Sequence, residues 1–338
     1  EWRPRSPQRA LDVVGSIPGV VRGEVETDVP GRGGGDGRRL DGDHLGEAVR
    51  VAQAVKQPVK LMWTREDMLQ HDLYRPLSAQ MLQAWLDRSG HIMGWNHAMA
   101  STPWHAHRSV PQDRLWHGEV YADALPAGLI ANYRLSWKAV ESPLPCGNWR
   151  APGHNSTAFA RECFIDEIAR GTHQDALELR LRLLGDARTL PYRGFGGPVL
   201  DTGRMAAVLS KAAGSIGWKR RLKTRRGLGL ASHFTFGSYC AHAFEVSVER
   251  GQIRIHRAVC VVDVGRAINP LGVEAQMIGA TLDGISAALH HAITLEHGGV
   301  RQQALRDYRL ARNRPLPRKV EVHLTHPVAR PSAAGDAA

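Results

Sequence analysis

Three stretches of the sequence combine glycine or arginine with the start of a predicted helix, a combination suited to binding an anion. The first is the run PGRGGGDGRRLDG at 30–42, in which Gly34, Gly35, Asp36 and Gly37 precede a helix. Backbone amides without helical partners can point at an anionic oxygen there, helped by the helix dipole. A mobile glycine turn fits the same residues, because the run has neither a P-loop lysine nor a G-x-G-x-x-G pattern.

The second stretch is GNWRAPGHN, which places Arg150 and Pro152 just before a helix whose first turn is polar. Asn155 is predicted to be the N-cap residue of this helix. Arg150 would then reach into a pocket near the positive helix end. An arginine in an ordinary surface turn is the competing interpretation.

The third stretch is DVGRAINP, in which a predicted strand ends and a helix begins at a proline. Gly265 lies in the connection, and Gln276 falls within the first two helical turns after it. Each of the three stretches is ambiguous when taken singly.

Metal ligation by simple motifs is not indicated. The pairs His105/His107 and His290/His291 lack the spacing and acidic partner of H-E-x-x-H, which favours surface or core roles. The four cysteines form no C-x-x-C pair, so neither zinc nor iron–sulfur spacing is present. They are predicted to be reduced and mostly buried thiols.

The elements that position these stretches predict an α+β fold of mixed sheets packed with helices. Residues 101–150 are rich in proline and irregular, which places a domain boundary near 140 and divides the chain into 1–140 and 141–338. Apolar periodicity predicts helices at 44–55, from 155 to 171, at 174–184 and at 205–216, a buried strand at 59–63 before a polar turn at 64–67, and hairpins at 77–99 and 242–262.

Charge and hydropathy exclude further classes. The chain has 44 Lys+Arg against 33 Asp+Glu, a formal charge of +11, but 37 of the 44 are arginine, a skew typical of GC-rich coding. The basic run 219–226 lacks an aromatic or groove-docking motif, so it is interpreted as a solvated linker and nucleic-acid binding ranks last. No apolar run reaches the roughly 18 residues of a membrane span.

Several ordered blocks resemble one family. They are GGGDGRRLDGD with VKLMWTREDMLQHDLYRP, then NWRAPGHNSTAFARECFIDEIA with LELRLRLLGDA, then FTFGSYCAHAFEVSV with VCVVDVGRAINPLGVEAQMIGA, and DYRLAR. From about Pro7 to His326 the chain resembles the molybdenum-binding large subunit of the xanthine dehydrogenase/aldehyde oxidase superfamily, most closely the isoquinoline 1-oxidoreductase beta-subunit branch. The two regions then correspond to the C-terminal part of the first molybdopterin-binding domain and to a C-terminally truncated second one.

The resemblance implies a hydroxylase that oxidises an aldehyde or an N-heteroaromatic carbon with oxygen from water. It implies a molybdenum–molybdopterin cofactor, in its cytosine dinucleotide form, and a small partner subunit with two two-iron two-sulfur clusters. No transmembrane segment is expected. An export signal would lie upstream of residue 1, so the resemblance leaves cytoplasm and periplasm open.

The resemblance also implies roles for individual residues. Gly34, Gly35 and Gly37 would approach the molybdenum and its oxo ligand, Arg150 would hold the cofactor, and Pro152 would stand in the substrate pocket. Gly265 and Gln276 would lie on the cofactor side of the second domain.

Two departures from the family pattern point to an alternative function. Asp36 stands where the family has Phe, and its carboxylate would repel the anionic cofactor. The family's general-base glutamate has no counterpart after Glu321, and Asp336 is a poor substitute so near a chain end. The chain is therefore expected to be an incomplete hydroxylase subunit with no catalytic side chain of its own; the alternative is a catalytically dead remnant that only contacts an iron–sulfur subunit.

Overall fold

The computed structural model describes residues 7–27, 37–104, 110–121, 126–190, 199–312, 316–325, 328–335 and 337. Predictions that concern Gly34, Gly35, Asp36, His105, His107 and Asp336 fall outside these ranges. Within them, helices and mixed sheets alternate along the chain and form the α+β architecture expected from the sequence.

The described α-helices are α1 (Pro7–Gly15), α2 (Asp43–Val55), α3 (Arg65–His71), α4 (His154–Gly171), α5 (Ala176–Leu184), α6 (Thr202–Ile216) and α7 (Pro270–Leu289). The described strands are β1 (Ser78–Leu86), β2 (Ile92–Ser101), β3 (Asn132–Ala139), β4 (Thr189–Leu190), β5 (Leu200–Asp201), β6 (Arg226–Thr235), β7 (Ser238–Glu249), β8 (Gln252–Asp263), β9 (Leu295–Glu296), β10 (Gly299–Val300) and β11 (Val320–Leu324). None of the helices in these ranges combines the length and apolar character needed to cross a bilayer.

The larger sheet has the strand order β11-β8-β7-β6, with β6, β7 and β8 antiparallel and β11 parallel to β8. Side chains alternate between its two faces because successive residues of a strand point in opposite directions. Tyr239, Ala241 and Val259 pack with α6, whereas Cys240, Cys260 and Val262 pack with Met277 of α7. A helix therefore covers each face, which explains why this hairpin is apolar at consecutive positions.

A three-stranded sheet has the order β1-β2-β3 and packs against α4 and α5. The predicted hairpin is confirmed, with β1 and β2 antiparallel around a turn at 87–91. Trp95 is buried at its centre against Phe164 of α4, with the two rings edge to face at 5.0 Å. This packing fixes the position of α4, whose first turn follows Arg150.

Three local predictions were wrong. Residues 59–63 form no strand, and Met62 is 82% exposed, because no described strand pairs with this segment. The turn at 64–67 is the start of α3, where Thr64 and Asp67 form a capping box. Strand β3 lies inside the stretch interpreted as irregular; it pairs with the distant β2 in parallel, which local patterns do not reveal.

Candidate functional site

Gly37 connects the first predicted anion site to the second. Its φ of +74° is unfavourable for residues with a Cβ, and an added Cβ would lie 2.3 Å from the Asn148 carbonyl oxygen. Nearby, the Asn148 Nδ2 donates a 3.0 Å hydrogen bond to the buried carboxylate of Asp41. The end of the glycine run thus packs directly on the backbone that leads to Arg150.

Arg150 connects the second stretch to the third. Its Nη2 donates a 2.9 Å hydrogen bond to Oε1 of Gln276, 126 residues further along the chain. Gln276 lies in the second turn of α7, which begins at Pro270 behind the N-cap Asn269, as the sequence predicts. An added Cβ on Gly335 would lie 3.8 Å from the same Gln276 oxygen, so the C-terminal segment also approaches here.

A stack of planar groups supports the Arg150 backbone. Arg75 donates a 2.9 Å hydrogen bond from Nη2 to the Arg150 carbonyl oxygen, and its guanidinium lies 4.9 Å from the Trp149 ring centre. His291 also stacks on the Trp149 ring, with ring centres 5.5 Å apart, and Tyr308 stacks on His291 at 5.1 Å. Tyr308 belongs to the block DYRLAR, so a fourth distant segment holds Arg150 in place.

Gly265 has a positive φ of +67°, and an added Cβ would lie 2.1 Å from the Arg330 carbonyl oxygen. Arg266 donates a 3.0 Å backbone hydrogen bond to the Ala329 carbonyl oxygen at the same place. The close approach of the C-terminal segment therefore explains why position 265 requires glycine. The role of Gly265 toward a cofactor stays a prediction.

The start of α4 differs from the prediction in its cap. The N-cap is Gly153, with φ +75°, and no side chain caps it, so the expectation that Asn155 caps the helix was wrong. An added Cβ on Gly153 would lie 2.7 Å from the Gly118 carbonyl oxygen, so close packing selects glycine. The Pro152 carbonyl oxygen accepts a hydrogen bond of 3.3 Å from the Tyr121 hydroxyl.

A cleft of about 380 Å³ opens beside this helix start. Ala151 and His154, which lie on either side of the predicted pocket residue Pro152 in the chain, line the cleft together with Phe159, Cys163, His233 and His242. The buried face of α4 includes Ile165, Ile168 and Ala169, whereas Cys163 is exposed. Phe159 is 69% exposed.

Two histidines in the cleft are held neutral. Burial, together with the nearby Arg161 guanidinium, lowers the pKa of His154 to about 4. The same causes hold the pKa of His233 well below its ordinary value. Tyr121 stacks on His154 with ring centres 4.2 Å apart, and the Thr235 hydroxyl lies 3.1 Å from Nε2 of His154. Neither histidine was predicted from the sequence, because no spacing motif marks them.

The residues around Arg150 fit an anionic, hydrogen-bonding cofactor. A guanidinium has five N–H donors, and the carboxamide of Gln276 adds two more. The buried Oδ1 of Asn148 has no hydrogen-bond partner within the described ranges and offers an acceptor. Donors for phosphate or oxo groups and an acceptor for a pterin N–H therefore lie in neighbouring segments.

This fold and donor set correspond to a defined class. Residues 5–184 match one molybdopterin cofactor-binding domain model, and residues 205–317 match a second one. The chain belongs to the molybdopterin cofactor-binding family. Arg150 lies in the first matched region and Gln276 in the second, so their hydrogen bond crosses between the two.

Curated relatives agree with this assignment. The isoquinoline 1-oxidoreductase subunit beta of Brevundimonas diminuta is 29% identical over 316 residues, covering 89% of this chain and 38% of the relative. The aldehyde oxidoreductase molybdenum-binding subunit PaoC of Escherichia coli K12 is 29% identical over 272 residues, covering 76% and 35%. The chain thus spans little more than a third of the length of these relatives.

Solved structures share the fold. Quinoline 2-oxidoreductase from Pseudomonas putida 86 superimposes with a TM-score of 0.73 at 12% identity, covering 99% of this chain and 66% of that one. Carbon monoxide dehydrogenase from Oligotropha carboxidovorans gives 0.77 at 13% identity, covering 98% and 65%. The resemblance predicted from the sequence blocks is confirmed.

Proposed function

We propose that the chain is the cofactor-binding part of a molybdenum hydroxylase large subunit that oxidises aldehydes or N-heteroaromatic carbons, with water as the oxygen source. The hydrogen bond between Arg150 and Gln276 carries this proposal, because it joins the two family-matched regions, and Gly37 packs on the backbone just before Arg150. The names of the relatives, an isoquinoline and an aldehyde oxidoreductase, support the substrate class.

The cofactor is molybdenum–molybdopterin, and we propose its cytosine dinucleotide form. The bound group supplies the two-electron redox centre of the hydroxylation. Arg150 donates its remaining guanidinium N–H groups, a planar fork that lysine does not reproduce. Because the side-chain oxygen of Gln276 accepts the hydrogen bond from Arg150, the NH₂ group of Gln276 can donate to the cofactor. Gly37 packs on the Asn148 backbone, and the roles proposed for Gly34, Gly35 and Asp36 toward the cofactor rest on the resemblance alone.

The cleft beside α4 supplies the substrate environment. His154 and His233 are neutral at pH 7 because their pKa values are lowered, so they add no positive charge to the cleft wall. Phe159 exposes an aromatic face there. An uncharged aldehyde or heteroaromatic ring fits this part of the wall, and Pro152 follows the lining residue Ala151 in the chain.

Electrons leave to a small subunit carrying two two-iron two-sulfur clusters. The four cysteines of this chain are free, and their positions do not follow the spacing of an iron–sulfur motif, so we place the clusters on a partner.

Metal and pterin analysis tests the proposal. The chain is purified with the subunits that accompany it from cells supplied with molybdate. We expect about one molybdenum and one pterin per chain, as for a resident cofactor, and cytidine monophosphate after acid hydrolysis. Folded protein with neither molybdenum nor pterin overturns the proposal and favours a remnant that only contacts the iron–sulfur subunit.

A further inference from the structure

Three potential metal ligands meet on the α7 face of the larger sheet. Cys240 and His242 are alternate residues of β7, and His242 lies opposite Cys260 of β8 in the strand register. Alternate positions of one strand and the position opposite them share a face. The ligand atoms of all three residues lie within 4.8 Å of one another. The sequence shows no such site because the cysteines are 20 residues apart.

The distances match those between ligands of one ion. Cys240 Sγ lies 3.6 Å from Cys260 Sγ and 3.7 Å from Nδ1 of His242. With a Zn–S distance of about 2.3 Å and a Zn–N distance of about 2.0 Å, tetrahedral geometry separates two sulfurs by about 3.8 Å and sulfur from nitrogen by about 3.5 Å. The two measured separations thus need adjustments of only a few tenths of an ångström.

The other side of the imidazole fixes its orientation. His242 Nε2 lies 2.9 Å from the Thr281 hydroxyl oxygen of α7, and that hydroxyl donates a 2.7 Å hydrogen bond to the Met277 carbonyl oxygen. Because the hydroxyl proton is already used, the oxygen accepts, and Nε2 carries the proton. In neutral His242 the lone pair therefore resides on Nδ1, which faces the sulfur. Metal-binding histidines are held in this way by a hydrogen bond from their second nitrogen.

Both sulfur ligands lie in the core, and a metal ion that binds there would do so by displacing their protons. Cys240 is 1% exposed and Cys260 is fully buried. Thiolate, not thiol, is the metal ligand.

The cleft beside α4 gives an entry route. His242 is half-buried and lines this cleft, while the two cysteines lie behind it in the core. An ion entering from the cleft meets the imidazole first. Water or a small ligand from the cleft would then complete the tetrahedron.

We propose that Cys240, His242 and Cys260 bind one Zn²⁺ ion through two thiolates and the Nδ1 atom of His242. Two sulfurs and one imidazole nitrogen are the donors that zinc prefers. Two thiol protons pass to solvent when the ion binds. None of the three ligands is among the residues placed around Arg150. The site opens into the cleft proposed above for the substrate, but its metal binding is tested without molybdenum, so the two proposals can fail separately.

Cobalt substitution tests the site on the unmodified chain. Co²⁺ is added to protein that has been reduced and freed of zinc under anaerobic conditions, and the absorption spectrum is followed. We expect sulfur-to-cobalt charge-transfer bands and tetrahedral visible bands that saturate at one Co²⁺ per chain and disappear when Zn²⁺ is added. Folded protein without these bands overturns the proposal.

Variants identify the ligands. Cys240→Ser and Cys260→Ser should each abolish or strongly weaken the bands, while Cys146→Ser, at a buried cysteine outside the cluster, should leave them unchanged. Thr281→Val keeps the shape of the side chain and removes the hydrogen bond to His242, so we expect affinity to fall about 10–100-fold. Circular dichroism confirms that each variant is folded. Equal cobalt binding by wild type and both cysteine variants would contradict the assignment.

A thiol count separates zinc from a disulfide. The protein is purified without reductant and then unfolded by denaturant in the presence of a chelator. It should show four free thiols if Cys240 and Cys260 held a metal ion. Two free thiols would instead show a bond between Cys240 and Cys260, and would overturn the proposal.

Discussion

Arg150 Nη2 donates a 2.9 Å hydrogen bond to Gln276 Oε1, although the two residues belong to different family-matched regions. Arg150 lies in the loop before α4, and Gln276 lies in the second turn of α7. Arg150 is further fixed through its carbonyl oxygen by Arg75. The contact therefore reports whether the two regions are correctly assembled as well as where an anion would bind.

Arg150→Lys should lower molybdenum and pterin occupancy about tenfold or more. Lysine keeps the charge but loses the planar fork, and hydrogen bonds that involve a charged group contribute about 1.5–3 kcal/mol. Occupancy is measured by metal analysis and pterin fluorescence after oxidation. Arg88→Lys, at an exposed arginine in the β1–β2 turn, is the matched control and should leave occupancy unchanged. Equal occupancy in both variants would remove Arg150 from the site.

Gly37→Ala should destabilise the fold by roughly 2 kcal/mol, because the added Cβ is strained at φ +74° and overlaps the Asn148 carbonyl oxygen. Gly279→Ala is the control. Gly279 lies inside α7 with nothing within 4 Å of an added Cβ, so alanine should stabilise the helix by up to about 1 kcal/mol. Urea unfolding measures both changes; a neutral Gly37→Ala would show that the glycine run does not pack on this backbone.

Glu162→Gln should cost about 3 kcal/mol of unfolding free energy. Glu162 accepts hydrogen bonds of 2.9 Å from Arg180 Nε and 3.2 Å from Arg161 Nε, and Arg180 is only 3% exposed. Neutralising the carboxylate leaves buried guanidinium charge without its main partner, which is strongly unfavourable. Glu178→Gln breaks the exposed ion pair with Lys219 and should change stability little. Similar losses in the two variants would contradict the argument from burial.

Stability should fall as the pH is lowered from about 6.5 to about 4. His154 has a folded-state pKa of about 4 against an ordinary value of 6.5, so the unfolded chain binds a proton first. The contribution of His154 to the free energy of unfolding is complete above pH 6.5 and is lost as the pH falls to 4. For this pKa shift the loss reaches about 3 kcal/mol.

The pH effect is assigned with two variants. His154→Gln should flatten the dependence of unfolding free energy on pH between 6.5 and 4, whereas His71→Gln, at an exposed histidine, should not. Denaturant unfolding at intervals of pH measures both. An unchanged slope in His154→Gln would show that this histidine is not the group that titrates.

The sequence predicted best those elements whose pattern is local. The β7–β8 hairpin and the proline-initiated start of α7 are confirmed, since alternation and capping residues act over a few positions. Strand β3 was missed because its partner, β2, lies about 40 residues away, and parallel pairing leaves no local turn signal. The strand predicted at 59–63 failed for the converse reason, as an apolar run needs a partner strand.

Residue types and their order determined the family, the α+β class and the three stretches suited to an anion. Only the tertiary structure decided that Gly37 packs on the Asn148 backbone and that Arg150 hydrogen-bonds Gln276. It also decided that glycine at 265 serves the passage of Arg330, and that two cysteines and a histidine share one sheet face. The physical reason is the range of the interactions. Capping and alternation are fixed within a few residues, whereas contacts between residues 126 apart depend on how whole helices and sheets pack.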